Sequence, residues 1–397
     1  MLTIENASIL LGPELEHIER GYIRIDSGAI VDAGPGKAGA SGRLLDAAGF
    51  LVIPGFINAH THVADSIGKD IAAGKRLDAR VHPVFGAKKT ILEKSEPAHL
   101  HALVRSSAIS MLQKGITTFA DFREGGMEGV RLLKGAIAGL PIKCVALGRV
   151  DHYYGDPSSN EGLPPQVVAK AGEVLKIADG FGISGANENT DAALAQYSEM
   201  AAGKLVAIHA AESKEAVEFS MQHTGRSEVE RITGHLKPDI VVHMTNATEG
   251  DISLVAGRAG VVVCPRANGV LGAGLPRVAE MMRRGCQVAI GTDNVMLNSP
   301  DMFRELDYLW KASHAAGEFI EPRELIKMAT VNGARMLGLD SGSIEEGRAA
   351  DLVFINTRHA DLYPVHDPYA AVVHRAGPGS VTAVMVNGRF AIPGVFQ

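Results

Sequence analysis

The residues with the clearest chemical potential lie in Ile53-Pro54-Gly55-Phe56-Ile57-Asn58-Ala59-His60-Thr61-His62, an apolar run that ends in His-x-His. In an extended strand, residues two apart point to the same face. Both imidazoles therefore project together from the end of a buried strand. Two neutral imidazoles side by side are a common way to hold a divalent transition metal; the plainer alternative is a pair of partly exposed histidines. Similar residues recur at the ends of later apolar runs. His209 closes the run 205–209, with Glu212 three residues on; His243 closes 240–243; Asp293 follows 288–291 in Gly291-Thr292-Asp293-Asn294. With 15 histidines in the chain, one at a strand end could be an accident. Four, with an acid on the last strand, are hard to obtain that way.

These residues need elements that bring them together. Counting the run from Leu51 as the first, buried strands are expected at 51–57, 116–120, 142–147, 180–184, 205–209, 240–243, 260–264 and 288–291. Helical spacing fills the intervals, at 100–114, 127–140, 165–178, 191–200, 214–223 and 250–258, then at 275–284, 302–315 and 322–337. Eight strands alternating with helices fit an α/β fold of the (β/α)8 TIM-barrel type better than an open sheet. Before residue 51 and after residue 337 the texture changes to short strands split by Gly and Asp turns. The expected division is a barrel over 51–337 and a small β-sandwich domain assembled from 1–50 and 338–397. In such a barrel the C-terminal ends of the strands converge on one mouth, which would gather the four histidines and Asp293.

Bulk properties narrow the class. The 397 residues are 46% hydrophobic, and the net charge of −6 is spread without like-charge blocks, which argues against a nucleic-acid or membrane-surface role. The apolar runs are too short for a membrane-spanning helix. Met1 to Glu5 lacks the basic start and apolar core of an export signal. Cys144, Cys264 and Cys286 form neither a CxxC pair nor an evident disulfide frame, which suits a reducing cytoplasm.

Pro54-Gly55-Phe56-Ile57-Asn58-Ala59-His60-Thr61-His62 resembles the first-strand signature of the amidohydrolase superfamily, and Gly342 to Val353 resembles the return of such chains from barrel to small domain. His209-Ala210-Ala211-Glu212-Ser213 is similar to the HxxE block of its cytosine deaminase, S-adenosylhomocysteine deaminase and triazine hydrolase branch. The resemblance implies that His60, His62, His209 and Asp293 bind one divalent metal, zinc foremost with iron as the alternative. A metal-bound hydroxide would then attack the substrate. Asp293 would take the water's proton, Glu212 would shuttle protons to a ring nitrogen and leaving group, and His243 would hydrogen-bond the water or the developing oxyanion. Binuclear members usually end strand four with a carboxylated Lys. Here that end reads Gly182-Ile183-Ser184-Gly185-Ala186-Asn187-Glu188, so a single ion is expected.

Specificity should come from the loops after the strands. Residues 63–93 would form a lid. Arg149, Asp151, His152, Asn187, Arg266 and Asn268 are the expected polar substrate contacts. The S-adenosylhomocysteine deaminases usually carry a Trp-rich segment in the first loop, whereas the single Trp here is Trp310, which argues against a bulky nucleoside. The leading expectation is a cytoplasmic deaminase of a small heterocyclic molecule of pyrimidine, purine or pterin type, with a homodimer among the expected assemblies. A cyclic amidase resembling imidazolonepropionase, displacement of another leaving group, and a non-catalytic scaffold are the alternatives.

Overall fold

The computed structural model of the protein describes residues 1–39 and 42–394. Residues 40, 41 and 395–397 of the expected small domain lie outside the described residues. Five strands open the chain: β1 (Leu2–Leu11), β2 (Glu16–Asp26), β3 (Ala29–Pro35), β4 (Arg43–Asp46) and β5 (Phe50–Pro54). The barrel strands follow: β6 (Phe56–His62), β7 (Ile116–Arg123), β8 (Lys143–Gly148), β9 (Gly180–Ile183), β10 (Leu205–Ala210), β11 (Ile240–His243), β12 (Gly260–Val263), β13 (Val288–Ile290) and β14 (Asp293–Asn294). The chain ends on β15 (Leu352–Asn356), β16 (Val381–Val386) and β17 (Arg389–Ile392).

From β6 to β13 each barrel strand pairs in parallel with the next. The eighth strand position is shared by two short pieces. β13 pairs with β12, and β14 pairs with β6 through Asp293 opposite Thr61 and Asn294 opposite His62. At the break, Gly291 donates its N–H to Val263 on one side and Thr292 donates to His60 on the other. The ring therefore closes at a kink, and the kink lies beside His60. Only glycine fits there: a Cβ on residue 291 would lie 2.6 Å from His60 Cβ.

The terminal strands form one hydrogen-bonded sheet in the order β17-β16-β15-β5-β1-β2-β3, with β4 also on β1. The two leaves expected of a sandwich are thus continuous. β1 supplies the bend. Its neighbour changes from β4, at residues 2–5, to β5, at residues 8–9. Between them the pairing with β2 shifts register and Asn6 has φ +59°, as at a bulge. Ile4, Ile9, Ile23, Val52, Phe354 and Met385 share the core of this sheet. A larger cluster, including Val104, Leu133, Val174, Ile208 and Val241, lies between barrel strands and helices.

The run 51–57 proves to be two strands. Gly55 donates to Asp351 of the terminal segment, and Phe56 then donates to Gly115 of the barrel. Both halves are fully buried, so their hydrophobicity gave no sign of the change. The expected helix 322–337 is likewise two, Pro322–Met328 and Val331–Met336. Among the described residues no helix is long and apolar enough to cross a membrane.

Candidate metal centre and active site

The mouth of the barrel gathers residues far apart in sequence. His60 and His62 end β6, His209 is near the end of β10, and Asp293 starts β14. The His209 Nε2 lies 3.3 Å from the Nε2 of both His60 and His62. Asp293 Oδ1 lies 3.3 Å from His60 Nε2 and 3.6 Å from His62 Nε2. A tetrahedral ion with nitrogen and oxygen ligands at ~2.0–2.1 Å spaces those ligands about 3.3–3.4 Å apart. These four separations, of the six among the four atoms, are close to what such an ion requires. Two further observations fit a cation. Asp293 Oδ2 is buried with no hydrogen-bond partner among the described residues. The ligand nitrogens of His60, His62 and His209 also lie within 4.8 Å of one another.

Backbone contacts orient two of the rings. His209 Nδ1 lies 2.7 Å from Ser184 O and 3.1 Å from Ile183 O, and His62 Nδ1 lies 3.2 Å from Phe122 O. An Nδ1–H donating to a carbonyl leaves the Nε2 lone pair facing the centre. Protonation states agree. Burial pushes the His60 imidazole down to about 3. Burial, followed by the charge of Lys88, lowers His62, and burial with the neighbouring imidazoles holds His209 well below its ordinary value. Burial alone would raise the Asp293 carboxyl. The His60 hydrogen bond and the charges of His243, His60 and His62 outweigh it and keep the group ionised. Neutral imidazoles and a carboxylate are the forms that bind a metal.

Glu212 and His243 stand beside this group. Ser213 caps the helix Lys214–Thr224, its hydroxyl accepting from Ala216 N at 3.1 Å, so Glu212 is fixed between a strand end and a helix start. Its Oε1 lies 3.7 Å from His243 Nε2. Burial, and then the charge of Asp293 against the opposing pull of His243, raises the Glu212 carboxyl above the usual range. His243 Nδ1 lies 3.2 Å from Asn268 Oδ1, while Asn268 Nδ2 donates to Thr245 Oγ1. His243 and Asp293 both hold left-handed backbone, φ +77° and +57°. Non-glycine residues adopt it at a cost of ~1–3 kcal/mol each, and such strain gathers at functional sites.

A cavity of about 600 Å3 opens over these groups, lined by Lys88, Arg149, Asn187, Glu188, Glu228 and the rim residue Phe85 among others. Of the residues expected to touch substrate, Arg149 and Asn187 line it. Asp151 lines an adjoining cavity instead, where it accepts from Gly125 N. His152 stacks edge-on against Tyr154. Arg266 turns to Glu305, Asn298 and Ser299 O, and Asn268 is fully buried behind His243. Cys264, which ends the expected strand 260–264, is buried in the core. The segment after β6 does return over the mouth: Leu77, Asp78, Val81 to Phe85 and Lys88 all line the cavity.

Three buried charged residues nearby were not anticipated: Lys88 and Glu228 line this cavity, and Glu124 lines the adjoining one. Lys88 sits in Gly86-Ala87-Lys88-Lys89-Thr90, a stretch that superficially evokes a phosphate loop but lacks its glycine spacing. Glu124 is the first residue after β7, but β7 runs three residues beyond the expected 116–120, so the strand-end rule that selected the histidines stopped at Asp121. Glu228 carries no sequence signal. It reaches back from the start of a helix to accept from Ala211 N at 3.1 Å, and burial, with Glu188 nearby, pushes its carboxyl up to about 8.

Comparison with known proteins agrees with this geometry. The model of the amidohydrolase family matches residues 51–391. A protein of Methanothermobacter thermautotrophicus, provisionally named an aminohydrolase, is 38% identical over 394 residues, 98% of each chain. A 5-methylthioadenosine/S-adenosylhomocysteine deaminase of Pyrococcus furiosus is 28% identical over 98% of this chain and 95% of its own. Among solved structures, a zinc-bound adenosine deaminase from Xanthomonas campestris superposes with a TM-score of 0.86 at 25% identity, covering 100% of this chain and 94% of that one.

Proposed function

We propose that this chain, which belongs to the amidohydrolase family and is a C–N hydrolase of its deaminase kind, uses one zinc ion to remove an amino group from a nitrogen heterocycle. The observation that carries this reading is the convergence of His60, His62, His209 and Asp293 beside the half-buried carboxyl of Glu212. In it, those four residues hold the metal, which when bound acidifies a coordinated water to near neutral pH. Asp293, kept as a carboxylate, accepts the water's proton. Glu212 delivers a proton to the ring nitrogen next to the attacked carbon and returns one to the departing ammonia. His243, anchored by Asn268, hydrogen-bonds the oxygen as it gains negative charge. The net change is replacement of C–NH2 by C–OH, with water consumed and ammonia released.

Substrate contacts fall to Arg149 and Asn187, the two expected residues that line the cavity. A cavity of about 600 Å3 lies within the ~300–1,000 Å3 of ordinary ligand sites. It has room for a heterocycle carrying a sugar-sized substituent, despite the missing tryptophans of the first loop. The relatives named for adenosine-type substrates make such nucleosides the first compounds to try.

The test combines metal analysis with a panel of adenine nucleosides, cytosine, guanine and pterins, scored by ammonia release. One zinc per chain and ammonia from at least one compound is expected, and an Asp293→Asn variant should lose both turnover and tight metal binding. Ring opening without ammonia would transfer the reading to a cyclic amidase. Absence of stoichiometric metal, or wild-type turnover from Asp293→Asn, would overturn it.

A further inference from the structure

The three imidazoles of the centre differ in what stands behind them. His209 Nδ1 faces only carbonyl oxygens. His60 Nδ1 is buried without a hydrogen-bond partner among the described residues. His62 Nδ1 alone faces a carboxylate, with Glu124 Oε1 at 3.3 Å in addition to Phe122 O.

The same Oε1 is the meeting point of two cations. Lys88 Nζ lies 2.7 Å from it and Arg149 Nη2 3.3 Å, while Arg123 Nη2 lies 3.5 Å from Oε2. Lys88, Arg123, Glu124 and Arg149 are each less than 9% exposed. Nearby, Asp65 Oδ2 lies 3.9 Å from Lys88, and Asp151 Oδ1 lies 3.5 Å from Arg149. Glu124 thus stands between three buried guanidinium and ammonium groups and the His62 ring. Lys88 reaches it from the helix Ala87–Lys94, part of the segment that covers the mouth.

We propose that Glu124 is a positioning residue for the metal centre: it holds the His62 ring by its Nδ1 and shields the bound cation from Lys88, Arg123 and Arg149. A carboxylate behind a ligating histidine fixes the ring and raises its basicity, and losing such a partner costs ~10- to 100-fold in metal affinity. Here the loss has a second component, because Glu124→Gln removes the carboxylate that Lys88, Arg123 and Arg149 share and leaves Lys88 with only the more distant Asp65 and Arg149 with Asp151, a few ångströms from another cation. Buried charges interact strongly at such range. The covering segment thereby gains a role at the centre, since Lys88 sets how much of the Glu124 charge remains for His62.

This inference rests on the metal reading above, so its test measures Zn2+ alone, by competition with a chromophoric chelator, on the full-length chain. The wild type is compared with Glu124→Gln, Lys88→Met and the double variant, with metal-free thermal unfolding as a check on folding. Glu124→Gln is expected to weaken Zn2+ binding about 10- to 100-fold. Adding Lys88→Met should recover part of that loss, because it removes one of the cations no longer shielded from His62 by Glu124; a merely structural role for Glu124 predicts no recovery. If Glu124→Gln does not fold, Glu124→Asp, which keeps the charge but withdraws it by one methylene, should still bind several-fold more weakly. Zn2+ affinity within twofold of wild type in Glu124→Gln (or in Glu124→Asp, where only that folds), or a double variant no tighter than the single, overturns the assignment. A wild type that binds no stoichiometric Zn2+ overturns the metal reading itself, and this inference with it.

Discussion

Gly291→Ala tests the site from the backbone upward. The added Cβ would lie 2.6 Å from His60 Cβ and 2.9 Å from His60 N and O, where ordinary contact begins at 3.4 Å. It is about 0.5–0.8 Å short of room on a side occupied by the neighbouring strand's backbone, not by a flexible side-chain end. The relief is to move β13 and β14 away from β6. Metal–ligand distances tolerate only ~0.2 Å, and Asp293 is two residues along the displaced piece. Two effects should appear together. Overpacking costs ~1–3 kcal/mol of folding stability, read as a lower unfolding temperature of the metal-free protein. Displacement of Asp293 from His60 and His62 should weaken Zn2+ binding by about tenfold or more, the scale seen when a ligand loses its support. Chelator competition and thermal scans of metal-free and Zn2+-loaded protein measure both. A variant with wild-type Zn2+ affinity and unchanged unfolding temperature would refute the claim that the close approach at residue 291 positions the ligands.

Other substitutions separate the roles. Glu212→Gln keeps shape and removes the proposed proton carrier, so kcat should fall ~10²- to 10⁴-fold with metal content unchanged; a loss below threefold would remove Glu212 from the reaction. Glu228→Gln makes a pH prediction. Burial raises the Glu228 carboxyl to about 8, far above an unfolded carboxyl near 4.3. The unfolded chain therefore releases this proton first as pH rises, and the wild type loses stability between those two values, at most about 1.4 kcal/mol per pH unit. Glu228→Gln escapes that loss. Its stability relative to wild type, from urea titrations, should increase with pH across that window and then level off, and a gap independent of pH would contradict the assignment.

Much of the centre was legible because its residues sit where strand periodicity ends. His60, His62, His209 and His243 each close a buried apolar run, and Asp293 follows one by two residues. The strand count carried the barrel for the same reason. What escaped depends on contacts that no local pattern encodes. The change of sheet at Gly55 lies inside one uniformly buried run. Lys88 acquires its place only because residues 77–94 fold back over the mouth. Arg266 and Asn268 show the reverse case: both follow β12, but a polar loop residue has no intrinsic direction, and these two turn to Glu305 and to His243.

The kink that ends the ring at Gly291 has a mechanical consequence. β14 holds β6 by only two residue pairs, and the side-chain tie next to it, Asn58 Nδ2 to Thr292 Oγ1 at 2.7 Å, joins residues 234 apart in the chain. An ion shared by His60, His62 and Asp293 would act there as a clasp between the first and last staves of the barrel. Fixing a loop of that length removes chain entropy worth on the order of 5 kcal/mol if it behaves as a covalent cross-link does. Loss of the ion would then release the seam before the rest of the wall, and amide hydrogen exchange along β6 and β13 would quicken first.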